Sequence, residues 1–193
     1  MRRTVMPIAV AAAGALLAAV MPASAARAAG SGDGDSRPPA GLTPREPSAH
    51  SVVLREEAVI AAEPARIWRI LVDFPQYSTW NPWVVRAEGD ATPGGAVRVD
   101  VVLGRHEMRA DHVVLVVEPE TRFCWRDAGW NSWFVYGQRC RTLDRQADGT
   151  VLFKQELLLD GPFSQVARLA TGRALRDGMA AETAALKQRA ERP

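Results

Sequence analysis

Five ionisable side chains lie close together in the middle of the sequence, at His106, Glu107, Arg109, Asp111 and His112. Histidines and carboxylates act as general acids and bases when a cavity encloses them. The spacing of these five residues selects no catalytic pair, and they fall on a predicted strand. The sequence therefore favours a surface strand here and names no catalytic residue.

The signatures of several other chemistries are missing from the sequence. It contains no nucleophile elbow, phosphate-binding loop or dinucleotide fingerprint. Its two cysteines and three histidines show no spacing typical of metal ligands. The net charge of +2, with basic and acidic residues interspersed, gives no indication of a nucleic-acid partner. The sequence predicts neither a metal nor a cofactor.

The segment from Tyr77 to Trp83 is rich in aromatic and turn residues, and it follows an amphipathic helix that begins at Pro64 and ends at Asp73. Such a segment forms either a lid at the mouth of a cavity or a plug at one end of the core. The pattern leaves both interpretations open. The candidate contact residues of this segment are Tyr77, Trp80, Asn81 and Trp83.

Runs of β-forming residues separated by turn signals predict seven strands in the rest of the chain. Short turns between consecutive strands indicate antiparallel pairing. One long helix is predicted over residues 163–190, and its apolar stripe includes Glu182. The pattern is typical of an α+β fold in which this helix covers a curved sheet. The predicted strands span residues 51–60, 84–88, 96–103, 106–117, 121–126, 133–144 and 151–159.

The first helix and the aromatic segment together resemble the start of the polyketide cyclase/dehydrase group of the START-like (SRPBCC) superfamily. Weaker matching pieces extend the resemblance over residues 52–191. It implies a helix-grip fold, in which a curved antiparallel sheet of about seven strands wraps around a long C-terminal helix and leaves a cavity between them. The matching positions are Ala62, Pro64, Ile67, Trp68, Ile70, Leu71, Asp73, Phe74, Tyr77, Trp80, Asn81 and Pro82.

The resemblance also implies that Arg139 and Arg141, on one face of the sixth predicted strand, point into the cavity. Two buried arginines are costly unless an acid, or the carboxylate or phosphate of a ligand, pairs with them. A one-residue shift in register would instead leave both in water. The full set of predicted ligand-binding residues is Trp68, Tyr77, Trp80, Asn81, Trp83, Trp125, Arg139, Arg141, Phe153 and Gln155.

Three functions are consistent with this fold. The first, which we favour because the sequence names no convincing acid/base pair, is an exported protein that binds a hydrophobic or amphipathic small molecule or lipid in the cavity. The second, implied by one branch of the resemblance, is a cyclase/dehydratase that closes a poly-β-ketone by aldol reaction and loss of water. The third is a filled structural module whose exposed tryptophans bind a partner. Trp130 and Trp133, in the loop over residues 128–133, are predicted to face either the cavity rim or a membrane or partner.

Cys124 and Cys140 lie on adjacent predicted strands, and the inward face that the resemblance implies leaves both on the outer face. A hairpin symmetric about Ser132 would put them opposite each other, which favours a disulfide in an oxidising compartment. Two free thiols are the alternative.

The N-terminus predicts an exported protein. Arg2 and Arg3 precede an apolar run over residues 8–20, and a small-residue cleavage site ends at Ala25. Residues 1–25 are therefore predicted to be a signal peptide, for the general secretory or the twin-arginine route. Residues 26–50, rich in Gly, Ser, Pro and charge, are predicted to be a disordered linker. The folded domain is predicted over residues 51–193.

Overall fold

A computed structural model describes residues 41–192, apart from the side chains of Trp130 and Asn131. The predicted signal peptide and residues 26–40 of the predicted linker lie outside the described residues. No helix among residues 41–192 is long and apolar enough to cross a membrane.

Seven strands form one antiparallel sheet in the order β1-β7-β6-β5-β4-β3-β2. Each consecutive pair from β2 to β7 is joined by a short connection, so the sheet is a meander, and β1 closes one edge by pairing with β7. This topology confirms the predicted antiparallel pairing. The strands are β1 Val52–Ile60, β2 Val84–Gly89, β3 Ala96–Leu103, β4 His106–Glu118, β5 Arg122–Asp127, β6 Tyr136–Arg145 and β7 Val151–Asp160.

Two α-helices complete the domain, α1 over Pro64–Val72 and α2 over Ser164–Glu191. Pro64 occupies the first turn of α1, where its missing N–H is not needed. A short 3-10 helix over Phe74–Thr79 follows α1. The architecture is the predicted helix-grip fold, with the long α2 against the concave face of the sheet.

The core consists of two clusters of buried side chains. One lies under α1 and the C-terminal half of α2, and includes Ile67, Phe153 and Leu186, each fully buried. The other lies toward β2, β3 and the middle of α2, and includes Trp83, Trp125 and Met179. The two clusters contact different parts of α2, one near its C-terminus and the other near its middle.

The register between β5 and β6 places Cys124 directly opposite Cys140, and the two sulfur atoms are bonded. The disulfide therefore confirms the predicted symmetric hairpin. The prediction that the sixth strand begins at residue 133 was wrong. A 3-10 turn over Trp130–Trp133 occupies that position, and β6 begins at Tyr136.

Residues 41–50, part of the predicted linker, contact the sheet. The backbone N–H of Arg45 donates to Oε1 of Gln138 at 2.8 Å, and Nε2 of Gln138 donates back to the Arg45 carbonyl at 3.1 Å. The Arg45 guanidinium also stacks on the Tyr136 ring at 3.9 Å. This part of the chain therefore follows the outer face of β6.

Candidate functional site

A cavity of about 190 Å³ lies between the concave face of the sheet and the N-terminal half of α2. Its wall is mostly apolar, and Leu175 is the residue of α2 that lines it. Polar groups enter the wall on one side only, from β4, β5 and β6. The main apolar lining residues are Trp83, Val99, Val101, Met108, Trp125, Leu157 and Leu159, and the polar ones include His112, Asp127 and Arg139.

A buried ion cluster adjoins this cavity, and Arg139 is the member of the cluster that lines the wall. Arg139 and Arg141 are 4% and 1% exposed, and both contact Glu182 of α2, which is fully buried. Nη2 of Arg141 lies 3.2 Å from Oε1 of Glu182, and Nη2 of Arg139 contacts Oε2. The arginines therefore point inward, and their carboxylate partner comes from the helix.

Neutral polar side chains complete the cluster. Asn81 donates from Nδ2 to Oε1 of Glu182 at 2.9 Å, and its Oδ1 accepts the backbone N–H groups of Trp83 and Val84. Gln155 accepts two hydrogen bonds from Arg139 at 2.7 and 3.0 Å. Its Nε2 donates to the Met179 carbonyl and to Oγ1 of Thr183 on α2. The cluster thus joins β6, β7 and the aromatic segment to α2.

The electrostatics of the cluster are unbalanced. Burial lowers the pKa of Arg139 well below its usual value, and the positive charge of neighbouring Arg141 lowers it further. Burial also lowers the pKa of Arg141. Nε and Nη1 of Arg141 have no hydrogen-bond partner among the described residues. Two guanidinium groups share one carboxylate, so an anionic group next to Arg139 would be attracted.

Aromatic faces partly compensate the buried charges. The Arg139 guanidinium lies 4.3 Å from the centroid of Trp83, and that of Arg141 lies 4.5 Å from the centroid of Trp125. Stacking of this kind stabilises a desolvated cation by about 2 kcal/mol. Because both tryptophans also line the cavity, they connect the ion cluster to its apolar wall.

A histidine and a carboxylate pair at the cavity wall. Nε2 of His112 lies 3.1 Å from Oδ1 of Asp127, and the imidazole packs 5.0 Å from the Trp125 ring. Nδ1 of His112 is buried and has no hydrogen-bond partner among the described residues. Asp127 therefore contacts the imidazole through Nε2 and fixes its position beside the Trp125 ring.

The pair depends on a glycine. A Cβ atom at Gly137 would lie 2.2 Å from Oδ2 of Asp127. Any other residue at this position would displace the carboxylate from the cavity wall. Gly137 therefore leaves the space that Asp127 occupies beside His112.

Of the ten predicted ligand-binding residues, the structure brings Trp83, Trp125 and Arg139 to the cavity wall. Arg141, Asn81 and Gln155 lie behind it in the ion cluster. The remaining four do not line this cavity, because they pack against other residues. They are Trp68 and Phe153 in the apolar core, Tyr77, whose hydroxyl donates to the Leu71 carbonyl at 2.6 Å, and Trp80, which packs on Tyr77.

These positions select between the two interpretations of the aromatic segment. Tyr77 is fully buried, and burial raises its pKa because no water reaches the phenol. The ring is part of a plug at one end of the core. Trp83 alone among the aromatic residues of this segment lines the cavity.

The five ionisable residues of β4 are divided between the surface and the cavity wall. His106, Glu107, Arg109 and Asp111 are exposed, and Asp111 pairs with Arg98 at 2.9 Å. The surface interpretation is correct for these four, and His112 is the exception. Trp133 is 83% exposed, whereas the Trp130 side chain lies outside the described residues.

Two acidic residues of the site were not predicted. Glu182 lay on the apolar stripe of the long helix, and an acid in such a stripe indicates a buried partner. Asp127 carried no such signal, since it ends a short strand where a polar residue is usual. Among the described residues, no group of three or more His, Cys, Asp or Glu side chains is placed to hold a metal.

The fold and the cavity define a START-like domain, with a small, partly open cavity between sheet and helix. Residues 51–191 match the family model for polyketide cyclase/dehydrase and lipid transport proteins, and the chain belongs to that family. No curated protein matches the sequence.

Solved structures share the fold at low sequence identity. The chain is similar to the Zhui aromatase/cyclase from Streptomyces sp. R1128, with 14% identity, a TM-score of 0.64, and coverage of 74% of this chain and 95% of that one. It is similar to a norcoclaurine synthase point mutant from Thalictrum flavum, with 14% identity, a TM-score of 0.57, and coverage of 75% and 97%. A START superfamily protein from Mycobacterium smegmatis has 20% identity, a TM-score of 0.53, and coverage of 72% and 97%.

Proposed function

We propose that this protein is an exported binding protein that holds a hydrophobic or amphipathic small molecule in the cavity. The observation that carries the proposal is the mostly apolar cavity beside the buried, positively charged ion cluster. An apolar part of the ligand would contact Trp83 and Leu175. An acidic group on the ligand would meet Arg139.

The size of the cavity narrows the ligand class. Pockets that enclose small molecules usually measure about 300–1,000 Å³. At about 190 Å³, this cavity encloses a compact ring system or only one end of a long chain. The proposal therefore favours a ring-sized amphipathic acid over a fully enclosed lipid.

Native mass spectrometry of the purified protein, before and after organic extraction, tests whether a ligand copurifies. Isothermal titration with naphthoate and with naphthalene then tests the chemistry. We expect saturable binding of naphthoate, at least about tenfold tighter than naphthalene, because its carboxylate meets Arg139. A clean unliganded mass together with no saturable binding of either compound would contradict the proposal.

A matched pair of variants on α2 locates the binding. Leu175→Phe fills the cavity and should abolish naphthoate binding. Leu169→Phe adds the same ring to a position that is 77% exposed, away from the cavity wall, and should leave binding unchanged. Equal effects of the two variants would show that the probe binds elsewhere.

Export is the second part of the proposal. The predicted signal peptide supports it, and the Cys124–Cys140 disulfide is typical of oxidising compartments. N-terminal sequencing of protein recovered from the medium should begin at Ala26. Recovery of an uncleaved chain from the cytoplasm would contradict it. Arg2→Lys/Arg3→Lys, which blocks twin-arginine export only, separates the two routes.

Peripheral membrane contact is the third part. Trp133, Phe163, Val166 and Leu169 are each at least half exposed and lie at the N-terminal end of α2 or in the loop before β6. Their apolar side chains would enter the lipid interface. Binding to neutral phosphatidylcholine vesicles should fall in Trp133→Ala/Leu169→Ala. Val59→Ala, at an exposed apolar position on β1, is the control.

The His112–Asp127 pair favours a second candidate, a cyclase. His112, at the cavity wall, would remove a proton from a carbon between two carbonyls, and the resulting enolate carbon would bond to a ketone carbon. This bond closes the ring, and the proton would return to the new alkoxide. The resulting hydroxyl and the remaining hydrogen of the attacking carbon would then leave as water, which forms a carbon–carbon double bond. Arg139 would stabilise the enolate charge.

Incubation with a poly-β-ketone tests this candidate through the loss of one water per ring, measured by mass spectrometry. His112→Gln should abolish the reaction, and Asp127→Asn should slow it less. His106→Gln, at the exposed start of β4, should not change it. Retained activity in His112→Gln would exclude His112 as the base.

A further inference from the structure

A groove of about 380 Å³ lies at the opposite end of α2 from the N-terminal turns beside the cavity. It is bounded by α1, by the 3-10 helix that follows α1, and by the last turn of α2. Four arginines line it, Arg66 and Arg69 from α1 and Arg189 and Arg192 from the end of α2. We refer to these four residues and the space between them as the arginine groove.

The arginine groove carries an excess of positive charge. Asp73 is the one carboxylate in its lining, so four guanidinium groups face one acid. Two nearby acids are paired with other groups. Glu63 binds Arg145 at 2.6 Å, and Glu191 binds Lys187 at 2.5 Å. Counted over residues 41–192, three positive charges in the lining therefore remain uncompensated.

Stabilisation of helix ends explains only part of this cluster. Cations near a helix C-terminus interact favourably with its carbonyl groups, and Nη2 of Arg66 donates to the carbonyl of Arg192. The side chains of Arg69, Arg189 and Arg192 make no hydrogen bond or ion pair with residues 41–192. Their mutual repulsion is unfavourable unless an anion enters the groove.

The types of residue in the arginine groove indicate which class of anion it would bind. Each charge is an arginine, whose planar fork matches the oxygen atoms of phosphate groups in pairs. Trp80 also lines the groove, and its buried indole N–H has no hydrogen-bond partner among the described residues. We propose that the arginine groove binds a phosphate-bearing anion, either a free phosphate compound or a lipid headgroup.

Inorganic pyrophosphate is the first probe. Its binding is measured through the indole N–H signals in proton–nitrogen NMR spectra of the purified protein. The Trp80 signal, assigned with Trp80→Phe, should shift and saturate, while that of Trp133 should not. Arg69→Gln/Arg192→Gln should weaken binding by at least about tenfold, because each lost charged hydrogen bond is a large part of the affinity. Both arginines are exposed, so the variant should fold.

The control variant removes the same number of positive charges at a different place on the surface. Arg168→Gln/Arg173→Gln changes two exposed arginines on the N-terminal half of α2 and should leave pyrophosphate binding unchanged. An equal loss in this control would mean general electrostatic attraction and would overturn the proposal.

Vesicles containing phosphatidic acid provide the second probe and distinguish the two sources of phosphate. If pyrophosphate binds, a free phosphate compound is sufficient to occupy the arginine groove. Binding of the vesicles alone, lost in Arg69→Gln/Arg192→Gln, identifies the lipid headgroup. Failure of both probes to bind wild-type protein at the groove would overturn the proposal, whatever occupies the cavity.

Discussion

The two halves of α2 differ in what they do for the domain. The C-terminal half buries Met179, Glu182, Leu186 and Ala190 against the sheet and α1. The N-terminal half leaves Leu169 largely exposed and covers the cavity with Leu175. One continuous helix thus anchors the fold at one end and leaves space for a ligand at the other. In this domain, the packed core and the cavity are covered by different turns of the same helix.

The ion cluster is held by Glu182 in the C-terminal half, and its loss should have the largest effect. Glu182→Gln leaves two buried guanidinium groups without a carboxylate. We expect the free energy of unfolding to fall by about 3–5 kcal/mol, measured in urea. The matched control is Arg139→Met/Arg141→Met/Glu182→Leu, which removes all three charges and should unfold at a similar or higher urea concentration than wild type. A loss below about 1 kcal/mol in Glu182→Gln would show that the cluster is not an anchor.

The second prediction compares two leucines of α2. Leu186→Ala opens space in the filled half and should cost about 2–5 kcal/mol. Leu175→Ala enlarges an existing cavity and should cost about 1 kcal/mol, because Leu175 is half-buried and part of its surface already faces that cavity. Thermal and urea unfolding measure both. Equal costs would contradict the division of the helix.

The third prediction compares two glycines of α2, for which we expect changes in stability of opposite sign when each is replaced by alanine. A Cβ at Gly178 would lie 2.5 Å from the Trp83 ring, so Gly178→Ala should destabilise by about 1–3 kcal/mol. A Cβ at Gly172 would lie 3.3 Å from the Arg168 side chain, which is exposed and able to move. Gly172→Ala should therefore stabilise by about 1 kcal/mol through helix propensity. Unfolding midpoints that shift in the same direction would contradict this explanation.

The smallest effect concerns the surface carboxylate at the end of α2. The Ala61 N–H and then Lys187 lower the pKa of Glu191, so this group stabilises the fold above its unfolded pKa and stops doing so as pH falls through its folded pKa. Glu191→Gln should therefore cost about 0.5 kcal/mol near pH 7 and nothing near pH 2.5. Unfolding free energies of both proteins across this range provide the measurement. A difference that persists at the acidic end would exclude the charge of Glu191 as the cause.

Sequence patterns predicted much of the fold and fewer of the residues that line the candidate site. The inward direction of Arg139 and Arg141 followed from alternation and the family resemblance, and both are buried. Phe153 faces the same side of the sheet but lies in the filled half. Alternation indicates a face of the sheet and carries no information on how far along the strand the core is filled. This explains why Phe153 was predicted for a pocket that it does not line.

Local features of the sequence determined the order of elements, the antiparallel meander and the pairing of Cys124 with Cys140. Each depends on the period of apolar residues or on a short turn, which act over a few positions. Only the tertiary structure decided that Glu182 neutralises the buried arginines, that His112 meets Asp127, and that one half of α2 covers a cavity. It also assembled the arginine groove from helices that are distant in the sequence. These features depend on which distant side chains come into contact and on the volume that remains between them, and no local pattern records either.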